Sequence, residues 1–223
     1  MKVRIILGSV MLSASSLLWA HDGSTHEEPK SQKLVATAAA HADAPVSIDA
    51  RPHKDDERAR NYFTDLPLLT TDGKPLRFYS DVLRNRVVLI NFVYTHCEEG
   101  CPVITQQLIQ VKKKLGPRFG QEIFFVSIST DPERDSPQAM GEFARKLGAE
   151  DPGWLFLTGE KQHIDKIITR LGQYSPVPEQ HSSLLLAGNV TTRHWMKLRP
   201  NAPLPAITFK LNDLADESTA QSQ

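Results

Sequence analysis

The chain has 223 residues, 40% of them apolar, and its 26 basic and 26 acidic side chains cancel to a formal charge of zero. That is enough length and apolar content for one domain with a substantial core. The even charge balance gives no support to a nucleic-acid surface, and two cysteines allow at most one internal disulfide.

Lys2 and Arg4 precede an uncharged run over residues 5–20, close to the length of a signal-peptide core and short of the roughly 20 residues of a membrane-spanning helix. Residues 1–20 are therefore expected to export the protein to the periplasm or another extracytoplasmic space, with cleavage after Ala20 or retention as a short N-terminal anchor. Membrane association is expected only through that segment left uncleaved. Residues 21–60 are polar, lack helical or strand periodicity and hold His21, His26, His41 and His53; they read as a flexible tether. Cleavage before His21 would leave an amine and an imidazole that could together chelate copper.

The folded domain is expected over 61–214, with a polar tail at 215–223. Leu66 to Leu69 and Leu76 to Phe78 flank the turn signal Asp72-Gly73, and residues 80–83 suggest a helical turn. Val87-Val88-Leu89-Ile90-Asn91-Phe92-Val93 has the run of β-branched and apolar residues of a strand buried on both faces. Cys97 and Cys101 follow, and Pro102 then opens a helix with apolar residues Ile104, Leu108, Val111 and Leu115 and a basic last turn. The run 123–129 predicts a second buried strand. Ser136-Pro137 predicts the start of a second helix ending at Gly148, 154–157 a further strand, and Ile164, Ile167, Ile168 and Leu171 a third helix. Pro176 and Pro178 demand a loop. A hairpin around Gly188-Asn189 and a last helix over 204–214 complete the chain. Parallel strand–helix units followed by an antiparallel hairpin and closing helix give an α/β fold with a mixed central sheet flanked by helices, resembling the thioredoxin-like layout.

The two cysteines then lie in a strand-to-helix loop. Unpaired N–H groups at a helix start favour negative charge, which lowers a thiol's pKa and makes thiolate available. A structural disulfide is a poor explanation for the pair, because so small a loop constrains the unfolded chain little. Spaced four apart, both sulfurs can face one ion or close one disulfide. Two thiolates are a soft ligand pair suited to Cu(I), with Zn(II) if further ligands arrive. In a thioredoxin-like layout the loop before the hairpin returns to this edge of the sheet, which makes His181 the candidate third ligand. His96 points away from Cys97 if the segment is extended, and His163 and His194 read as surface or structural. Asp131 and Asp135 lie after the second buried strand at the same edge, as turn residues or as carboxylates that orient the site or face a partner. Phosphate-loop, serine-elbow and His-Glu-x-x-His motifs are absent.

Asn91-Phe92-Val93-Tyr94-Thr95-His96-Cys97 running into Cys101-Pro102, then Ser129-Thr130-Asp131-Pro132-Glu133-Arg134-Asp135-Ser136-Pro137, then His181-Ser182 together resemble the Sco family, also called SenC or PrrC. The resemblance covers residues 62–212. It implies a thioredoxin-like copper metallochaperone serving the dinuclear copper site of cytochrome c oxidase or a related copper enzyme. Cys97, Cys101 and His181 stand at its copper ligands, for Cu(I) and also Cu(II), and Asp131 and Asp135 at its acidic motif. The implied partners are the apo copper site of an oxidase subunit or similar client, with another copper carrier or a thioredoxin-like reductant upstream. The alternative is an extracytoplasmic thiol–disulfide oxidoreductase that uses Cys97 and Cys101 as its redox pair and has no need of His181. A peroxide-reducing thiol enzyme on the same fold would require sulfenic-acid chemistry at one cysteine.

Overall fold

The computed structural model describes residues 54–220. They form α1 (Lys54–Phe63), β1 (Pro67–Leu69), β2 (Pro75–Arg77), a π-helical turn (Phe78–Leu83), β3 (Val87–Val93), α2 (Gly100–Leu115), β4 (Ile123–Ser129), α3 (Pro137–Leu147), β5 (Trp154–Leu157), α4 (Lys161–Arg170), β6 (Leu185–Asn189), β7 (His194–Leu198) and α5 (Leu204–Ala220). β1 and β2 form a small antiparallel ribbon, and the main sheet has the order β5-β4-β3-β6-β7. β3, β4 and β5 run parallel, while β6 and β7 are antiparallel to their neighbours. This mixed, helix-flanked sheet is the α/β, thioredoxin-like architecture expected from the sequence.

Every residue of β3 is buried, and alternate side chains serve two separate cores, as the period of a strand requires. Val87, Leu89 and Val93 pack with α2, α3 and α5 through Leu108, Val111, Met140, Phe143, Ile207 and Leu211. Val88, Ile90 and Phe92 pack on the opposite face with Phe63, Phe78, Tyr79, Ile164, Ile167 and Ile168. Each fully buried aliphatic side chain contributes about 2 kcal/mol, so the central strand is held from both sides. Its register with β4 ends at Val93↔Ser129, which brings the loops after both strands to one edge of the sheet.

Four expectations need correction. Helix begins at Lys54, inside the stretch 21–60 read as a tether, because Asp56 accepts the Tyr79 hydroxyl and lies 3.7 Å from Arg84, while Ala59 and Phe63 pack on the core. The rest of that stretch, with its histidines, and residues 1–20 lie outside the described residues. The closing helix runs past 214 to Ala220, through residues expected to form a polar tail, and its added turns are held from the main body. Arg118 bonds Asn212 and Asp216 at 3.1 and 2.9 Å, and His194 lies 2.8 Å from Glu217. Gly188-Asn189 is strand rather than turn: the Trp195 indole lies across Gly188, where a Cβ would fall 2.2 Å from the ring, and the reversal comes after Val190 with Arg193 at a φ of 59°. Lastly, α2 starts at Gly100, so Cys101 is already helical. Among the described residues no helix is long and apolar enough to cross a membrane.

Candidate metal and thiol site

The chain leaves the sheet at Val93, whose carbonyl accepts the Thr130 N–H at 2.8 Å. Two residues later Thr95 is clamped by Asp135, which accepts its N–H at 3.0 Å and its hydroxyl at 2.7 Å. The other oxygen of Asp135 accepts the Ser129 hydroxyl at 2.5 Å, and Ser129 Oγ in turn accepts the Asp131 N–H at 3.0 Å. Asp135 is fully buried, and a carboxylate can be buried there because these donors replace its water. The segment entering the cysteine loop is thus fastened to the end of β4. The turn closes with the Cys97 N–H on the Tyr94 carbonyl at 3.1 Å.

The residue before α2, Glu99, makes no side-chain cap. The sulfur of Cys97 takes that place, accepting the Cys101 N–H at 3.1 Å, one of the donors a helix start leaves open. Both cysteines are unbridged, Cys97 partly exposed and Cys101 buried. Burial raises the Cys97 pKa, but hydrogen bonds from the Cys101 thiol and N–H, the Tyr94 hydroxyl and the Glu99 backbone outweigh it, leaving the pKa below its ordinary value. Cys101 is pushed up to about 12, first by burial and then by the neighbouring Cys97 sulfur. Tyr94 also rises to about 12, mainly because its hydroxyl donates to Cys97 and then through burial. One thiolate-prone, accessible sulfur therefore lies against one protonated, buried thiol.

His181 follows a single 3-10 turn, Pro178–Gln180, after the proline loop. Its Nδ1 lies 2.6 Å from the Pro178 carbonyl and its Nε2 3.2 Å from that of Phe92. Phe92 lies beyond Ile90, where the pairing of β3 with β6 stops. The edge of the Tyr94 ring meets the imidazole at 5.7 Å between centroids and 89°. Arg134 pairs with Asp131 on one side and reaches Glu179, on the turn before His181, at 3.2 Å on the other.

The structure therefore brings Cys97 and Cys101 into contact and places His181 against Tyr94, whose carbonyl accepts the Cys97 N–H. Among the described residues no three His, Cys, Asp or Glu side chains already stand as a metal cage, and a metal held by all three requires the His181 ring to leave the Phe92 carbonyl. Asp131 and Asp135 are tied into the loops that carry the candidate ligands. His96 is exposed, with Nδ1 3.2 Å from the Thr95 hydroxyl. His163 lies against the Pro67 carbonyl at 3.2 Å, and His194 against Glu217. Sequence reasoning missed Tyr94, Thr95, Arg134 and Glu179. Only Thr95 carried a local signal, a polar side chain ending an apolar run.

A sequence model described as SCO1/SenC matches residues 54–194, from the first turn of α1 to the start of β7. The "SCO1 protein homolog" of Bacillus subtilis (strain 168) is 35% identical over 91 residues, 41% of this chain and 46% of the relative. "Protein SCO2 homolog, mitochondrial" of Mus musculus is 35% identical over 104 residues, 45% and 38% of the two chains. The match thus spans under half the length of these curated relatives. Among solved structures, Bradyrhizobium japonicum ScoI with copper bound superposes with a TM-score of 0.56 at 25% identity, covering 66% of this chain and 96% of that one. Yeast Sco1 does so at 0.57 with 20% identity, 68% and 95% covered, and shows the shared fold. A match that runs through the sheet, both cysteines and His181 and takes in more than half of the chain makes this protein a member of the SCO1/SenC family.

Proposed function

We propose that this protein is an extracytoplasmic copper metallochaperone that holds copper through Cys97, Cys101 and His181 and passes it to an apo copper centre such as the dinuclear site of a cytochrome c oxidase subunit. The observation that carries this reading is the donor set: two unbridged cysteines at the start of α2, the N–H of the second on the sulfur of the first, with an imidazole on the adjoining loop against Tyr94. Two sulfurs and one imidazole suit Cu(I). The family and the copper-bound ScoI relative lend support. Copper is cargo, so the site must release it as well as bind it. A ligand on a separate loop suits that task, because His181 can exchange while the sulfurs stay in place.

For binding, Cys97 presents a thiolate to the metal, and Cys101 must lose its proton as copper enters, so uptake releases protons to solvent. His181 keeps its Nδ1–H on the Pro178 carbonyl as the ring turns away from the Phe92 carbonyl, which leaves Nε2 as the donor to the metal. The Asp135 clamp keeps the cysteine loop fixed during exchange.

A second reading is favoured by the asymmetry of the thiols. A thiol–disulfide oxidoreductase needs an accessible thiolate that attacks a client disulfide, forming a mixed disulfide and releasing one client thiolate, and a second thiol that displaces the other. Cys97 and Cys101 fit those roles, with the two electrons going to the client as its S–S bond opens. An anaerobic Cu(I) titration of the reduced protein against a competing chelator, with Cys97→Ala, Cys101→Ala and His181→Ala alongside, separates the two. One tightly held equivalent that needs both cysteines and is weakened by His181→Ala supports the chaperone; weak binding indifferent to His181, with a readily cycled disulfide, supports the reductase.

A further inference from the structure

Tyr94 touches both halves of the site. Its backbone carbonyl accepts the Cys97 N–H at 3.1 Å, its ring edge rests on the His181 imidazole at 5.7 Å, and its hydroxyl is among the groups that hold the Cys97 pKa below its ordinary value. It is half-buried against the core on the α2 side of the sheet, and it follows directly on Val93, whose carbonyl is bonded to Thr130. The side chain therefore grows from a fixed point of the sheet, while the two side chains it meets come from separate loops.

We propose that Tyr94 is the positioning residue that couples the thiol pair to His181, its hydroxyl orienting the Cys97 sulfur and its ring orienting the imidazole. The proposal rests on the three-residue site above for its His181 half and on the thiol pair alone for its Cys97 half. Two substitutions divide these functions. Tyr94→Phe keeps the ring on His181 and removes the hydroxyl, whereas Tyr94→Leu removes both.

The hydroxyl half is tested on the metal-free full chain by equilibration with glutathione. Cys97 and Cys101 give up two electrons and two protons to oxidised glutathione, forming one intramolecular disulfide and two molecules of reduced glutathione. A donor to sulfur favours the dithiol form, so Tyr94→Phe is expected to shift the equilibrium threefold to tenfold toward the disulfide, at most about 30 mV more reducing. Tyr94→Leu should shift it equally. The ring half is read from copper. Tyr94→Leu should reproduce much of the loss of Cu(I) affinity of His181→Ala and alter the thiolate-to-copper absorption of the Cu(II)-loaded protein, while Tyr94→Phe stays close to wild type in affinity. A Tyr94→Phe equilibrium equal to wild type overturns the hydroxyl half, and a Tyr94→Leu protein with wild-type affinity and spectrum overturns the ring half. Should the wild-type chain bind no copper, the function proposed above fails and the ring half with it, while the glutathione equilibrium still decides the hydroxyl half. Unfolding in urea, followed in parallel, identifies a variant that has lost its fold; Tyr94→Phe, differing by one oxygen, still decides the hydroxyl half, and Tyr94→Met, which keeps an apolar side chain of similar length without a ring, then decides the ring half by the same affinity and spectrum.

Discussion

Nε2 of His181 lies 3.2 Å from the carbonyl oxygen of Phe92, while Nδ1 of the same ring lies closer, at 2.6 Å, to the carbonyl of Pro178. A neutral imidazole has one N–H for two acceptors, and the shorter contact assigns it to Nδ1. Nε2 then directs its lone pair at an oxygen, an unfavourable contact that turning toward a metal would relieve. The metal-free protein at neutral pH should therefore show the Nδ1–H tautomer in nitrogen NMR, with the Nε2 resonance moving when Cu(I) is added. A dominant Nε2–H tautomer would contradict this assignment.

Asp135 should matter for stability as well as for the site. Asp135→Ala leaves the Thr95 N–H and hydroxyl and the Ser129 hydroxyl without their buried acceptor, at a cost of about 3 kcal/mol. Urea unfolding of the metal-free protein measures the loss. Asp135→Asn, which keeps one oxygen, should recover part of it.

The two thiols should separate on alkylation. Cys97 is the more accessible and has its pKa lowered, whereas Cys101 is buried with a pKa of about 12. Only thiolate reacts. Raising the pH from 6 to 8 should therefore increase iodoacetamide labelling at Cys97 until its thiolate saturates, at a lower pH than for a free cysteine, while Cys101 stays unlabelled. Peptide mapping by mass spectrometry reads both positions.

Arg134 bridges the buried carboxylate of Asp131 and the exposed carboxylate of Glu179. The exposed pair with Glu179 contributes little to stability, but Arg134→Ala leaves the buried Asp131 carboxylate without its guanidinium partner, so the thermal midpoint should fall by several degrees. Because Glu179 lies two residues before His181, the same change should weaken Cu(I) binding severalfold through the histidine loop. Chelator competition checks the affinity and calorimetry the midpoint.

Gly188→Ala tests the strand assignment of β6. A Cβ there would meet the Trp195 ring at 2.2 Å, and relieving such an overlap costs about 1–3 kcal/mol. A thermal midpoint lowered by several degrees is expected; were Gly188 in a solvent-facing turn, the change would be nearly silent.

Much of the fold was legible because β3, β4 and β5 are near-continuous apolar runs and α3 carries its own punctuation, Ser136 accepting the Ala139 N–H at 3.1 Å and Gly148 ending the helix at a φ of 72°. α1 escaped notice because most of its residues are polar and its anchors, such as the Tyr79 hydroxyl on Asp56, come from elsewhere in the chain. Gly188-Asn189 misled because a glycine that makes room for an indole looks, in sequence, like one that makes a turn. At the site, Cys97, Cys101 and His181 could be nominated from spacing and layout. The hold of Asp135 on Thr95 and the seat of His181 on Phe92 and Tyr94 join residues far apart in sequence, and local pattern carries no trace of them.

The clamp at Thr95 also divides the cysteine loop into a part that sets geometry and a part left open to variation. The frame is set before the first sulfur, by Thr95, and after the second, by α2, whereas Glu98, Glu99 and Gly100 between them are exposed. Side chains at 98 and 99 can thus change in charge without disturbing the skeleton that carries the sulfurs. Those two positions set the charge beside the sulfurs independently of the scaffold that holds them in place.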